Sequence, residues 1–151
     1  MELPLALTSS LLEFDEECKL KVYPDSLGIL TIGIGRNVQE KGITREEAEY
    51  LLRNDINEAW ADLIKLFGRD AIDQWGQCRI AALLDMRVQL GPSRFRKFKQ
   101  MIQAVKDQNW EIACYASLDS VWAKQCPKRA SRISWILQYG KIHSDYHVAV
   151  S

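Results

Sequence analysis

The chain has 151 residues, enough for one domain or for two small lobes sharing a core. Its 20 Lys and Arg are balanced by 20 Asp and Glu, so no overall field draws it to nucleic acid or to a membrane surface, and any polyanion binding has to come from a local patch. No stretch approaches the roughly 18 apolar residues of a membrane span.

"MELPLALTSSLLEFDEE" opens with an acid and has no Lys or Arg before its short apolar run, which is not the pattern of a secretory signal. The expectation is accumulation in the cytoplasm, with release by some other agent. Ser10 and Glu13 form a capping-box signature that predicts a first helix from residue 10 to about 20, with Leu11, Phe14 and Cys18 on one stripe. From residue 22 to about 38 the helical period disappears. "GILTIGIG", rich in β-branched residues and Gly, predicts short strands in a hairpin or small sheet.

Thr44 and Glu47 make a second capping box. Ala48, Leu51, Leu52, Ile56, Ala59, Trp60, Leu63, Leu66 and Phe67 then recur at helical spacing before Gly68. This predicts a helix over 45–67, roughly 34 Å long, able to join two lobes. "CRIAALLDM" predicts a central buried helix closed by Gly91 and Pro92. Phe95, Phe98, Ile102 and Val105 mark another stripe, Asn109 caps a further helix, and Pro127 begins a last one carrying Arg129, Arg132, Ile133, Ile136 and Leu137. The expected fold is α+β and mostly α: a small N-terminal α/β lobe, a linking helix and a larger helical lobe, with a cleft where the lobes meet. The cysteines Cys18, Cys78, Cys114 and Cys126 have no C-x-x-C spacing and read as reduced, small buried hydrophobes.

The chemistry concentrates near the first helix. Asp15 has Lys19 four residues on and Glu17 has Lys21, favourable i,i+4 pairs. Glu13 has its capping role. Glu16 faces only Leu12 and Leu20 at that spacing. It is either an edge residue reaching water or a carboxyl whose titration is altered by its surroundings, as active-site acids are. Asp25 follows at the turn and Thr31 on the glycine-flanked strand. A carboxyl to give a proton and another to activate water are what glycoside hydrolysis requires, and glycines would let a sugar chain approach the backbone; equally, the glycines could serve only a tight, bulged hairpin. No third Gly opens a helix and no P-loop lysine follows, so a nucleotide site is poorly supported.

"FDEECKLKVYPDSLGILTIGIGRN…GITREEAEYLL" resembles the N-terminal lobe of phage-type lysozymes, the T4-like and lambdoid endolysins, in which Glu, Asp and Thr occur with eight and then five residues between them; Glu16, Asp25 and Thr31 reproduce that spacing. "AALLDMRVQLG", "NWEIA" and "VWAKQCPKRASRI" extend the likeness over nearly the whole chain. The resemblance implies a single lysozyme-like domain, with a small lobe at about 11–44, a linking helix at 45–67 and a helical lobe at about 68–151. It implies a muramidase cleaving the β-1,4 bond between N-acetylmuramic acid and N-acetylglucosamine with inversion. Glu16 would be the general acid, and Asp25 and Thr31 would hold the attacking water. An inverting pair needs its carboxyls roughly 6.5–9.5 Å apart. By the same resemblance Arg129 pairs with Glu16 and Gln89 lies at the cleft floor. Gln89 would hydrogen-bond substrate there, or cap backbone carbonyls at a helix end. Trp122 and Gln125 match a lobe-packing pair, with Trp122 expected in the core. No cofactor or metal is implied. The partners implied are a peptidoglycan strand and a separate pore-forming holin for release to the wall in the periplasm. Nucleic acid and stable membrane insertion are not expected, and the family norm is a monomer.

Four places depart from the family pattern: Glu17 stands where Gly usually follows the acid, Arg36 where His is usual, Asp85 where Asn is usual, and Arg87 with Val88 where a small or apolar residue and an aromatic are usual. They motivate a competing expectation, a catalytically weak lysozyme-fold module that binds glycan or a protein partner. "RFRKFK", residues 94–99, is the one basic cluster. It reads as a solvated helix face over buried rings, or as a means of steering toward an anionic wall or membrane; as a nucleic-acid binder it would leave the Glu, Asp, Thr spacing unexplained.

Overall fold

The computed structural model describes residues 2–146. It divides into two compact units, one up to Leu51 and the other from Leu52 onward. Helix α2 (Arg45–Phe67) runs through the boundary.

The first unit begins with α1 (Leu5–Glu16), followed by β1 (Lys19–Pro24), β2 (Leu30–Gly33) and β3 (Arg36–Asn37) in one antiparallel sheet of order β1-β2-β3. Helix α1 differs from expectation at both ends. Pro4 precedes its first turn, and Ser10, mid-helix, donates its hydroxyl hydrogen to the Ala6 carbonyl (3.1 Å) instead of capping. The helix stops at Glu16 because Glu17 takes φ 58°, ψ 166°. The i,i+4 pairs foreseen for Asp15 with Lys19 and Glu17 with Lys21 are therefore not formed on a helix: Lys19 already lies in β1, its Nζ 4.2 Å from the centroid of the Tyr23 ring. Cys18 is exposed, not buried as its neighbours implied. Between Lys19 and Tyr23 the β1–β2 ladder shifts register, after which Tyr23 pairs with Thr31 and Pro24 with Leu30. The second capping box forms as read: the Glu47 amide donates to Thr44 Oγ1 (3.1 Å) and the Thr44 amide to Glu47 Oε2 (2.7 Å). Arg36, at the position where His is usual, forms an ion pair with Glu47 and so ties β3 to the start of α2.

The second unit holds the hydrophobic core. Beyond α2 come α3 (Arg69–Ile72), α4 (Gln77–Arg96), α5 (Lys99–Lys106), α6 (Trp110–Leu118), α7 (Val121–Gln125) and α8 (Pro127–Tyr139). Helix α8 packs against α4, α6 and α7, and α5 against α6. Leu63, Ile72, Leu83, Met86, Phe95, Val105 and Leu137 are fully buried, and Trp122 belongs to the same cluster. Gly91 (φ 76°) breaks α4 before Pro92, at the stop the sequence predicts. Asn109 caps α6 by accepting from the Ile112 amide (3.2 Å). Of the long apolar stripe of α2, only Ala59 and Leu63 are buried; Leu51, Leu52 and Ile56 remain substantially exposed. Periodicity marks a face without specifying what covers it.

Arg87, a departure from the family pattern, is buried and donates to Asp62 Oδ2 (2.6 Å) and Glu58 Oε1 (3.1 Å), while Arg96 reaches the same Asp62. Burial pushes the Asp62 carboxyl upward, but hydrogen bonds and charges from Arg96 and Arg87 outweigh it, leaving its pKa below the ordinary value. A depressed carboxylate stabilises the fold above its unfolded-state pKa and loses that contribution as pH falls through the folded value. Asp62→Ala leaves the buried Arg87 guanidinium with only the exposed Glu58 carboxylate and should cost about 3 kcal/mol in urea unfolding at pH 7. The variant should also lose part of the wild type's fall in stability below pH ~4. Glu17 is strained in the opposite sense: its φ and ψ lie in a region tolerated essentially only by Gly. Glu17→Gly should raise stability by about 1 kcal/mol, after allowing for the greater freedom of Gly in the unfolded chain; a lowered denaturation midpoint would show that no strain is relieved.

Candidate active site

Glu16, Asp25 and Thr31 all belong to the first unit, each placed by a different device. Glu16 is the last residue of α1. Its carboxyl lies against the backbone of Gly35, in the two-residue turn between β2 and β3. A Cβ built on Gly35 would come within 2.9 Å of Glu16 Cδ and 3.0 Å of Oε2. Gly35 also has φ 72°. Any larger residue would therefore be strained in its own backbone and would displace the acid. Glu16 itself is exposed.

Asp25 opens the loop joining β1 to β2. Its Oδ1 accepts from the amides of Leu27 (2.8 Å) and Ile29 (2.9 Å). The Asp25 amide in turn donates to the Ile29 carbonyl (2.9 Å), and Gly28 closes the turn with φ 79°. One carboxylate oxygen, Oδ1, is thus fixed by the loop, and among the described residues of the unit no hydrogen bond engages Oδ2. Thr31, 4% exposed, is the only buried side chain among the described residues of its unit. Its Oγ1 donates to the Ile29 carbonyl (3.0 Å). With the hydroxyl hydrogen so engaged, Thr31 Oγ1 offers its lone pairs as an acceptor. Ile29, whose amide holds Asp25 and whose carbonyl holds Thr31, orients both.

The other two residues singled out from the sequence lie in the second unit. Arg129, on α8, pairs with Asp85 through Nε and Nη2, both 2.9 Å from Oδ1. The pair borders an apolar hollow of about 280 Å³ whose walls include Leu52, Ile56, Leu84 and Val88. Gln89 accepts from Trp122 Nε1 (2.9 Å) and donates toward Cys126 Sγ (3.4 Å). Its amide is held by these two side chains, and among the described residues no backbone carbonyl is its partner. Sequence reasoning did not find Gly35 as the seat of Glu16. The signal was there, a Gly just past the "TIG" strand, but the contact depends on where α1 ends. Nor did it find Asp62 as the counter-charge of Arg87; the two are 25 residues apart on different helices.

Among the described residues no group of His, Cys, Asp and Glu is arranged to hold a metal, and no helix is long and apolar enough to cross a membrane. The family described as phage lysozyme matches residues 13–132. The pre-baseplate central spike protein Gp5 of Enterobacteria phage T4 is 29% identical over 90% of this chain, which spans 28% of that protein's length. A probable T4-type lysozyme 2 of Dictyostelium discoideum is 26% identical over 87% of this chain and 94% of its own. The peptidoglycan hydrolase gp36 of Pseudomonas phage phiKMV is 29% identical over 66% of this chain and 11% of its own. Mostly helical, with one small three-stranded antiparallel sheet and a family match over most of its length, the chain belongs to the phage lysozyme family and is a glycoside hydrolase of the lysozyme type.

Proposed function

We propose that the protein hydrolyses the β-1,4 bond between N-acetylmuramic acid and N-acetylglucosamine in peptidoglycan with inversion at the anomeric carbon. The observation that carries this reading is the shared anchoring of Asp25 and Thr31 by Ile29, which leaves two acceptors, Asp25 Oδ2 and Thr31 Oγ1, for the two hydrogens of one water. In this scheme Glu16 gives its proton to the glycosidic oxygen as the bond to the anomeric carbon breaks. Water attacks that carbon from the opposite face, and Asp25 Oδ2 takes the proton it releases. Thr31 Oγ1 accepts the water's other hydrogen and aims a lone pair at the carbon. The role left to Arg129 is electrostatic support of Glu16, for which it would share or give up its bond to Asp85. Gln89 would offer substrate only the hydrogen-bonding capacity not already taken by Trp122 and Cys126.

The biological setting that fits is a phage endolysin that reaches the wall through a separate pore. The likeness to a baseplate spike protein supports a second setting, a wall-opening module carried in a larger assembly. Glu17, held in a Gly-type conformation beside the proposed acid, favours one chemical alternative, a weakened enzyme that chiefly binds glycan. Clearing of outer-membrane-permeabilised Gram-negative cells by wild type, lost about 100-fold or more in Glu16→Gln, supports the enzyme; no clearing with retained peptidoglycan pull-down supports the binder.

Proton NMR of a fresh digest should show the α-anomer of the new reducing end first. A β-anomer at the earliest time points would exclude the water-holding role of Asp25 and Thr31. Gly35→Ala should lower turnover about 100-fold through displacement of Glu16, while costing only about 1–2 kcal/mol of stability through its positive φ. Full activity in a folded Gly35→Ala protein would remove Glu16 from the chemistry.

A further inference from the structure

The basic cluster at 94–99 is not used by the hydrolytic scheme, and the structure gives it a setting. A groove of about 740 Å³ lies between the corner where α4 meets α5 and the corner where α6 meets α7, all within the second unit. Leu90, Phe98, Met101 and Trp122 line it with apolar surface, and Arg94, Lys97 and Lys99 line it with charge. Phe98 and Trp122 meet edge to face, ring centroids 6.1 Å apart. The Trp122 indole N–H is already bonded to Gln89, and the Ser120 hydroxyl is spent on the Ala123 amide and the Ser117 carbonyl. The three cations differ from Arg96, which is paired with Asp62. Arg94, Lys97 and Lys99 are exposed and have no carboxylate partner among the described residues. Asp119 is the one acid in the lining.

We propose that this face docks on an anionic lipid surface. Exposed apolar side chains continue past the groove on the α6–α7 side. Val121, in the lining itself, is 67% exposed, and Ile112 (51%) and Tyr115 (61%) stand one helical turn before the lining residues Ala116 and Asp119. Exposed apolar side chains beside exposed cations without carboxylate partners are the combination by which a surface seats itself among anionic headgroups. The long stems of Lys97 and Lys99 can lie along the apolar floor while their ammonium groups meet phosphates. The chain as a whole is neutral, so attraction would be confined to this patch and would orient the molecule on the surface. The mode is peripheral, in keeping with the lack of a membrane-crossing helix among the described residues. It is independent of the assignment of Glu16, Asp25 and Thr31, and its test requires no enzymatic activity.

The test is sedimentation of the full chain with vesicles of phosphatidylglycerol and phosphatidylcholine in a ratio of about three to seven. Binding should be present at low salt, weaken as salt rises, and be absent with phosphatidylcholine alone. The triple variant Arg94→Gln, Lys97→Gln, Lys99→Gln should bind about 100-fold more weakly, at roughly fivefold per cation. Val121→Asn should lose severalfold. Circular dichroism confirms that each variant is folded. Absence of wild-type binding, equal binding to neutral vesicles, undiminished binding by the folded triple variant, or indifference to Val121→Asn would each overturn the proposal. So would capture of a Glu- and Leu-rich peptide by wild type, lost in the triple variant, when vesicles are not bound; that result would assign the groove to an acidic peptide.

Discussion

The contact between the Glu16 carboxyl and the backbone of Gly35 sets the arrangement of the first unit. It brings the end of α1 to the turn between β2 and β3. It works only because one partner is a Gly with positive φ and the other the last residue of its helix. Were α1 to continue even one turn further, the carboxyl would be carried onto a helical face and away from the sheet. The termination of α1 is thus as much part of the proposed chemistry as the carboxyl itself. Here that stop is imposed on a residue, Glu17, whose side chain resists it.

The four departures from the family pattern look different once their surroundings are seen. Arg36 has Glu47, Asp85 has Arg129, and Arg87 has Asp62 and Glu58. Each of these three new charges is matched by an opposite charge in the same unit. Arg87 is the clearest case, since a guanidinium 4% exposed is tolerable only with its hydrogen bonds met. Val88 adds no charge and borders the apolar hollow beside Arg129. Among the described residues of its unit, Glu17 pairs with no opposite charge in the way those three do.

How much of this could be read from residues alone varied with the kind of signal. The bounds of α2 followed from Thr44, Glu47 and Gly68, because a capping box and a terminal Gly act locally. The burial of Ile102, Val105, Ile133, Ile136 and Leu137 followed from helical spacing. The same spacing put Leu51, Leu52 and Ile56 on a stripe, yet these stay substantially exposed. The start of α1 departs from its sequence signal because Ser10 and Glu13 imitate a cap that a helix already begun at Leu5 does not need. Its end carries no local stop signal because Glu17 stands where Gly is customary. The order Glu16, Asp25, Thr31 was visible as spacing, but the common hold of Ile29 on Asp25 and Thr31 depends on loop closure. That could not be anticipated from composition or period.

Arg79 joins distant parts of the second unit. It donates to the carbonyls of Leu137 (2.8 Å) and Gln138 (3.0 Å), 58 and 59 residues ahead of it, where α8 would otherwise leave its last acceptors unmet. Burial lowers the pKa of this guanidinium, and the two carbonyls satisfy its N–H groups where it is partly withdrawn from water. Helix α8 also supplies Ile133, Ile136 and Leu137 to the core. During synthesis, therefore, the core of the second unit is incomplete while α8 is still inside the ribosome, and a chain truncated before α8 would expose the apolar surface that Ile133, Ile136 and Leu137 cover.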